Sequence, residues 1–234
     1  RIASIERNIL LATNRKMTDK CHKHSHHSHH ESGDRLEVAH SHNTWKADDY
    51  EKKLKVMNYN GHKLAVDHFV EFGVPKDAKI LDLAAGTGLV GFELSQNGYT
   101  NIDALDGSDE MLVAAKKRNC YQNVMTHLIQ KTTKLPIADH TYDHIVMSGA
   151  LCHIDFENLP AIINTCKSGG IICWAIGQSE DLVRIEPKFK DGHFEQYIES
   201  LCAEKLWEFV AGFPKRVNNY AMERDGWVYA MKVL

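Results

Sequence analysis

Ile80-Leu81-Asp82-Leu83-Ala84-Ala85-Gly86-Thr87-Gly88-Leu89-Val90-Gly91 is the stretch on which the reading of the chain turns. An apolar run, 79–83, reads as a short buried strand. It passes into a glycine turn, 86–88, and then a helix, 89–96, that stops before Gly98. Gly86 and Gly88 permit unusual backbone angles and let a ligand approach the main chain closely. The start of the helix offers free N–H groups and a positive partial charge. Asp106 stands twenty residues beyond Gly86, at the end of the next predicted strand. A carboxylate there accepts hydrogen bonds from both hydroxyls of an adenosine ribose. Asp82 lies on the end of the first strand, four residues before Gly86. Its fixed charge repels a pyrophosphate and suits a ligand carrying an ammonium or sulfonium. Gly86, Gly88 and Gly91 also spell the dinucleotide fingerprint, which is weak by itself. A NAD(P)-dependent oxidoreductase therefore stands as an alternative.

Outward from this stretch, strands and helices alternate. Strands are predicted at 102–105, 124–129, 142–147 and 170–176, with helices at 109–118 and 159–166 between them. This order implies a parallel, doubly wound sheet with right-handed crossovers. A helix at 194–203 follows. Strands 206–213 and 227–233 are then joined only by a loop, so they must run antiparallel. Upstream, Tyr50, Leu54, Met57, Leu64, Val66, Phe69 and Val70 recur at helical spacing. Helices at 46–57 and 61–72 are expected, broken near Asn60-Gly61 and ended by Gly73-Val74-Pro75. The fold class is α/β: a mostly parallel, seven-stranded sheet with an antiparallel C-terminal hairpin and an N-terminal helical cover, spanning 43–234.

Residues 1–42 differ in character. The run from Cys21 to His30, with His40 and His42, holds 8 of the chain's 15 histidines. It lacks an apolar face, and reads as a disordered His-rich tail. The arginines of the first sixteen residues make only a poor organelle-targeting segment. Lys plus Arg number 28 against 31 Asp plus Glu, a net charge of −3, with no basic stripe to recommend a nucleic-acid partner. No apolar run approaches the ~20 residues that cross a bilayer. The six cysteines form no C-x-x-C pair and read as free thiols of a reducing, cytoplasmic setting.

The block 80–91 resembles motif I of the class I S-adenosylmethionine-dependent methyltransferases. Asp106-Gly107-Ser108, with Met111 one helical turn later, resembles their second motif. Leu135-Pro136 followed by Thr141-Tyr142-Asp143 resembles the approach to strand four. Lys167-Ser168-Gly169-Gly170 resembles the turn before strand five, with Ser168 in place of the usual proline. Within the superfamily, residues 45–234 are most similar to the Williams–Beuren-region methyltransferase-like group. The resemblance implies a Rossmann-like fold, S-adenosyl-L-methionine as cofactor and methyl transfer to an acceptor it does not name. It carries a cofactor role to Asp82, Ala84, Ala85, Gly86, Thr87, Gly88, Asp106, Gly107, Ser108 and Met111. Ala84 stands where many members have glycine. The acidic residue that often meets the adenine amino group falls near Lys131 or Thr132, neither acidic, so adenine must rely on backbone groups, Thr132 or stacking.

Ligands of an open parallel sheet bind beyond the carboxyl ends of its strands. Ser148 and Gly149 follow strand four and join the cofactor set, and His153 on the same loop is a candidate acceptor-binding residue. Tyr50, on the helical cover, is a second candidate, since an aromatic face near a sulfonium contributes ~0.5–2 kcal/mol. In-line transfer from a sulfonium needs no metal and no covalent intermediate, so no metal site and no catalytic residue is assigned. The expected partners are the cofactor and a small-molecule or protein side-chain acceptor, with the protein a monomer. A non-catalytic subunit that binds the cofactor is the second alternative.

Overall fold

The computed structural model describes residues 46–129, 134–183 and 186–234, all within the unit Glu37–Leu234. The His-rich segment 1–42 and Thr132 lie outside the described residues. In chain order the elements are α1 (Ala47–Val56), α2 (Gly61–Val70), β1 (Ile80–Leu83), α3 (Leu89–Gln96), β2 (Ile102–Asp106), α4 (Asp109–Lys116), β3 (Asn123–Thr126) and β4 (Tyr142–Ser148). There follow α5 (Leu159–Thr165), β5 (Cys166–Gly177), α6 (Ser179–Leu182), α7 (His193–Ala203), β6 (Trp207–Phe209), β7 (Lys215–Ala221) and β8 (Arg224–Val233).

Seven strands follow the order β3-β2-β1-β4-β5-β8-β6, and β7 pairs with β8 off that path. The pairs among β1 to β5 are parallel, and β8 runs antiparallel to β5 and β6. Side chains alternate across the sheet with period two. Ile80, Val146, Cys173, Ala175, Val228 and Ala230 pack on one face with Ala65, Val66 and Phe69 of α2 and Leu94 of α3. Leu81, Leu83, Ile145, Met147, Ile172, Trp174 and Tyr229 pack on the other with α5 and α7. On that second face Trp174 stacks on Tyr229 at 5.0 Å and on Trp207 at 5.8 Å. Trp174→Ala is expected to cost roughly 3–5 kcal/mol of stability. Denaturant unfolding measures it, and a loss under about 1 kcal/mol would contradict the packing.

The C-terminal strands differ from expectation. Segment 206–213 is strand only at Trp207–Phe209, because the chain turns away at Gly212 (φ 84°) ahead of Pro214. Lys215–Ala221, expected as loop, is strand β7. It pairs with Val228, Trp227 and Gly226, while β6 pairs with 231–233, so the two short strands share one edge of β8. Val217 is the one buried residue of β7, so the segment lacks the alternating pattern that identifies a strand. Strand β5 is assigned from Cys166 rather than 170, because Cys166 pairs with Tyr142 across a register shift.

Strand β1 is paired on both sides. Asp82 lies opposite Ala104 of β2 and Val146 of β4. The carboxyl ends of β1, β2 and β4 therefore lie side by side, and they carry Asp82, Asp106 and Ser148. Helix α1 buries no residue. The link after it is fastened to the β7–β8 hairpin, where Met222 N–H donates to the Met57 carbonyl at 2.6 Å and Asn60 N–H to the Tyr220 carbonyl at 2.8 Å.

Candidate active site

Asp82 is fully buried on the α2–α3 face. Its Oδ2 accepts two hydrogen bonds, from the Tyr121 hydroxyl at 2.6 Å and the Gly91 N–H at 2.9 Å. Its Oδ1 is buried without a partner, and so is Oγ1 of the neighbouring Thr87. Burial pushes the carboxyl up to about 7, against the opposing effects of Tyr121, Gly91 and Arg118 and with a further push from Asp106.

The turn above it is built from left-handed backbone. Gly86 has φ 54° with open space where a Cβ would stand. Gly88, at φ 83°, is the N-cap of α3. Ala84 also adopts positive φ, 54°, at the position where glycine is common. Ala85 ties the turn to β2 through its N–H to the Leu105 carbonyl at 3.1 Å. Gly91 is glycine for a different reason: a Cβ there would run into the Tyr121 ring. The third glycine of the literal dinucleotide pattern thus makes room for a phenol. With a buried carboxylate beneath the turn, the pyrophosphate alternative does not fit.

Asp106 ends β2 with each carboxylate oxygen held by a backbone amide. Oδ2 accepts from Gly86 N–H and Oδ1 from Ser108 N–H, both at 2.8 Å. Ser108, not Asp106, caps α4, its Oγ accepting from Met111 N–H at 3.4 Å. Gly107 lies under Leu128, whose Cδ1 would be 2.7 Å from a Cβ at that position, and Leu128 is 38% exposed.

At the end of β4, Ser148 Oγ lies 2.6 Å from the Tyr59 hydroxyl, which accepts from Tyr220 at 3.5 Å. Cβ atoms on Gly61 and Gly149 would come within 2.5 and 2.8 Å of that same Tyr59 oxygen. Burial raises the pKa of Tyr59 and Tyr220 and holds both as neutral phenols. Tyr50 is half-buried, with its pKa raised by burial and by Tyr59, Asp106 and Cys152. Cys152 is pushed up to about 11 by burial, so it is no thiolate. His62 stacks on Tyr59 at 5.7 Å, and burial lowers it to about 4.

Of the residues singled out from sequence, Asp82, Asp106 and Ser148 stand on the adjacent strands β1, β2 and β4 near their carboxyl ends, Ala84 to Gly88 form the turn between β1 and α3, Gly107, Ser108 and Met111 lie at the start of α4, Gly149 follows Ser148, and Tyr50 is on α1. His153 sits on the loop beyond β4 with its side chain exposed. The histidine beside the Tyr59 cluster is His62. Sequence reading missed Tyr121, Tyr220, Leu128 and Arg118. Arg118 donates to the Thr87 carbonyl at 2.6 Å and to Glu51 of α1 at 2.5 Å, tying the cover to the turn. The signals available were glycines at 61, 91 and 149, whose missing side chains leave room for aromatic rings.

Residues 80–170 match the family described as Methyltransferase domain. Together with the fold and relatives, this match supports the class I S-adenosylmethionine-dependent methyltransferase superfamily, which implies S-adenosyl-L-methionine as cofactor. Among individual proteins, it is similar to human Methyltransferase-like protein 27, at 28% identity over 185 residues, covering 77% of this chain and 72% of the human one. A SAM-dependent methyltransferase of Thermotoga maritima shares the fold with a TM-score of 0.56 at 19% identity, covering 80% of this chain and 94% of that one. One from Aquifex aeolicus gives 0.55 at 18% identity, covering 81% and 100%.

Proposed function

We propose that Asp82 and Asp106 grip opposite ends of S-adenosylmethionine across the glycine turn, and that the chain passes its methyl group in line to a small-molecule or protein side-chain acceptor. The observation that carries this reading is the orphaned, buried Oδ1 of Asp82 beneath an open Gly86, with Asp106 prearranged by two amides. The cofactor supplies an electrophilic methyl on a good leaving group. The protein's part is to align and to exclude water, which in well-oriented systems contributes ~7–11 kcal/mol. Asp106 accepts from the ribose hydroxyls. Asp82 faces the ammonium and sulfonium end. Leu128 offers adenine an apolar platform, the stacking partner that the absence of an acidic residue near 131–132 calls for. Tyr50, Tyr59, Ser148 and Tyr220 wall the side from which the acceptor enters, uncharged and low in dielectric. His153 contributes from the exposed rim.

The reading includes a monomeric, cytoplasmic protein. Free thiols at Cys120, Cys152, Cys166, Cys173 and Cys202 support a reducing setting. Among the described residues no helix is long and apolar enough to cross a membrane.

A thermal-shift comparison tests the site. S-adenosylhomocysteine at about a hundred times its Kd should stabilise the protein by about 2.7 kcal/mol, and NAD should leave it unmoved. The reverse pattern would remove the proposal. Deuterated-methyl cofactor incubated with cell extract and the protein, read by mass spectrometry, then identifies the acceptor.

A further inference from the structure

The segment between α4 and β3 holds the glycine turn from two directions. Arg118 donates to the Thr87 carbonyl, and three residues later Tyr121 donates to Asp82. The Tyr121 ring lies over the first turn of α3, in space that Cβ atoms at Gly88 and Gly91 would contest. Its hydroxyl and the Gly91 N–H both bind the same oxygen, Oδ2, and leave Oδ1 buried with no partner. We propose that Tyr121 is a positioning residue for methyl transfer: its hydroxyl locks the Asp82 carboxylate so that Oδ1 is the oxygen presented to the cationic end of the cofactor. The inference rests on the site proposed above, and deepens it by naming the group that keeps its anion in place.

Other groups act on the same carboxylate. Gly91 N–H and the Arg118 guanidinium favour its ionised form, while Asp106 and burial oppose it. Cys120, beside Tyr121, is pushed up to about 11 by burial and by Asp82, so it is a neutral thiol and adds no charge. Tyr121 itself has its pKa raised by burial and by Asp82, so its proton stays available for donation. Removing that donor leaves Gly91 alone on Oδ2 and makes the carboxyl easier to protonate.

The test is the Tyr121→Phe variant, which keeps the ring over Gly88 and Gly91 and deletes only the hydroxyl. Kd for S-adenosylmethionine is measured by calorimetry from about pH 6 to 9 for variant and wild type. The ratio of the two cancels the ligand's own titration. The variant should bind about tenfold more weakly at pH 6 and within about twofold of wild type at pH 9, since one unit of carboxyl shift is a factor of ten. Carbon-13 NMR of the Asp82 carboxyl in the ligand-free proteins should show a higher midpoint in the variant. A ratio independent of pH, or an unmoved midpoint, overturns the role of Tyr121 and leaves the cofactor site standing. Failure of the wild type to bind at any pH overturns both.

Discussion

Asp106→Ala should weaken S-adenosylhomocysteine binding by two to three orders of magnitude while the sheet stays folded. The carboxylate sits at the end of β2, where its oxygens accept from Gly86 and Ser108 N–H at 2.8 Å. These bonds fix the orientation before any ligand arrives, so little ordering is left for binding to offset. A hydrogen bond to a charged group contributes roughly 1.5–3 kcal/mol, and two ribose hydroxyls in the lower part of that range give about 3–4 kcal/mol, or roughly 10² to 10³ in affinity. Alanine also leaves the Gly86 and Ser108 amides without their acceptor, which loosens the turn itself. The core is untouched, because neither packed face of the sheet includes Asp106. Calorimetry gives the affinity and circular dichroism the fold. A Kd within about threefold of wild type would show that the ribose lies elsewhere.

Asp82, Asp106 and the glycines between them were legible in the sequence because strand, turn and helix follow one another within a few residues. Local chemistry dictates their spacing. The order of the parallel strands was legible for a related reason: buried strands read as apolar runs bounded by turns. Strand β7 was not, because it lies beside β8 as a mostly polar strand with only Val217 buried. The tyrosines were the larger loss. Tyr59 meets Ser148 across 89 positions and Tyr220 across 161, while Tyr121 meets Asp82 across 39. Contacts of that range are set by how layers stack, which no local periodicity records. What the sequence does retain of them is negative, as glycine at 61, 91 and 149 where a side chain would collide with a ring. His153 follows β4 on the loop where the sequence places it, with its side chain exposed, and loop position alone does not fix where a side chain lies.

Cofactor affinity should depend on pH through Asp82, and Asp82→Asn should abolish that dependence. Burial has pushed this carboxyl from an ordinary 3.8 to about 7. Between those values the folded, ligand-free protein holds a proton that the unfolded chain has released. Stability of the ligand-free protein therefore falls as pH rises from about 4 to 7, and levels off above. The cofactor reverses the balance, because a cation beside Oδ1 favours the ionised form. Binding below about pH 7 must then expel a proton, and S-adenosylmethionine affinity should drop by up to about tenfold for each pH unit beneath it. The asparagine side chain keeps an oxygen for Tyr121 and Gly91 but carries no charge at any pH. The variant's Kd should lie roughly tenfold above wild type at pH 8, approach the wild-type value near pH 6, and stay flat below about pH 7 where the wild type is steep. Calorimetry in buffers of different ionisation enthalpy counts the proton directly. A wild-type Kd flat from about pH 6 to 8, with no proton released, would mean that Asp82 is a structural carboxyl under the turn and that the cationic end of the cofactor is held by other groups.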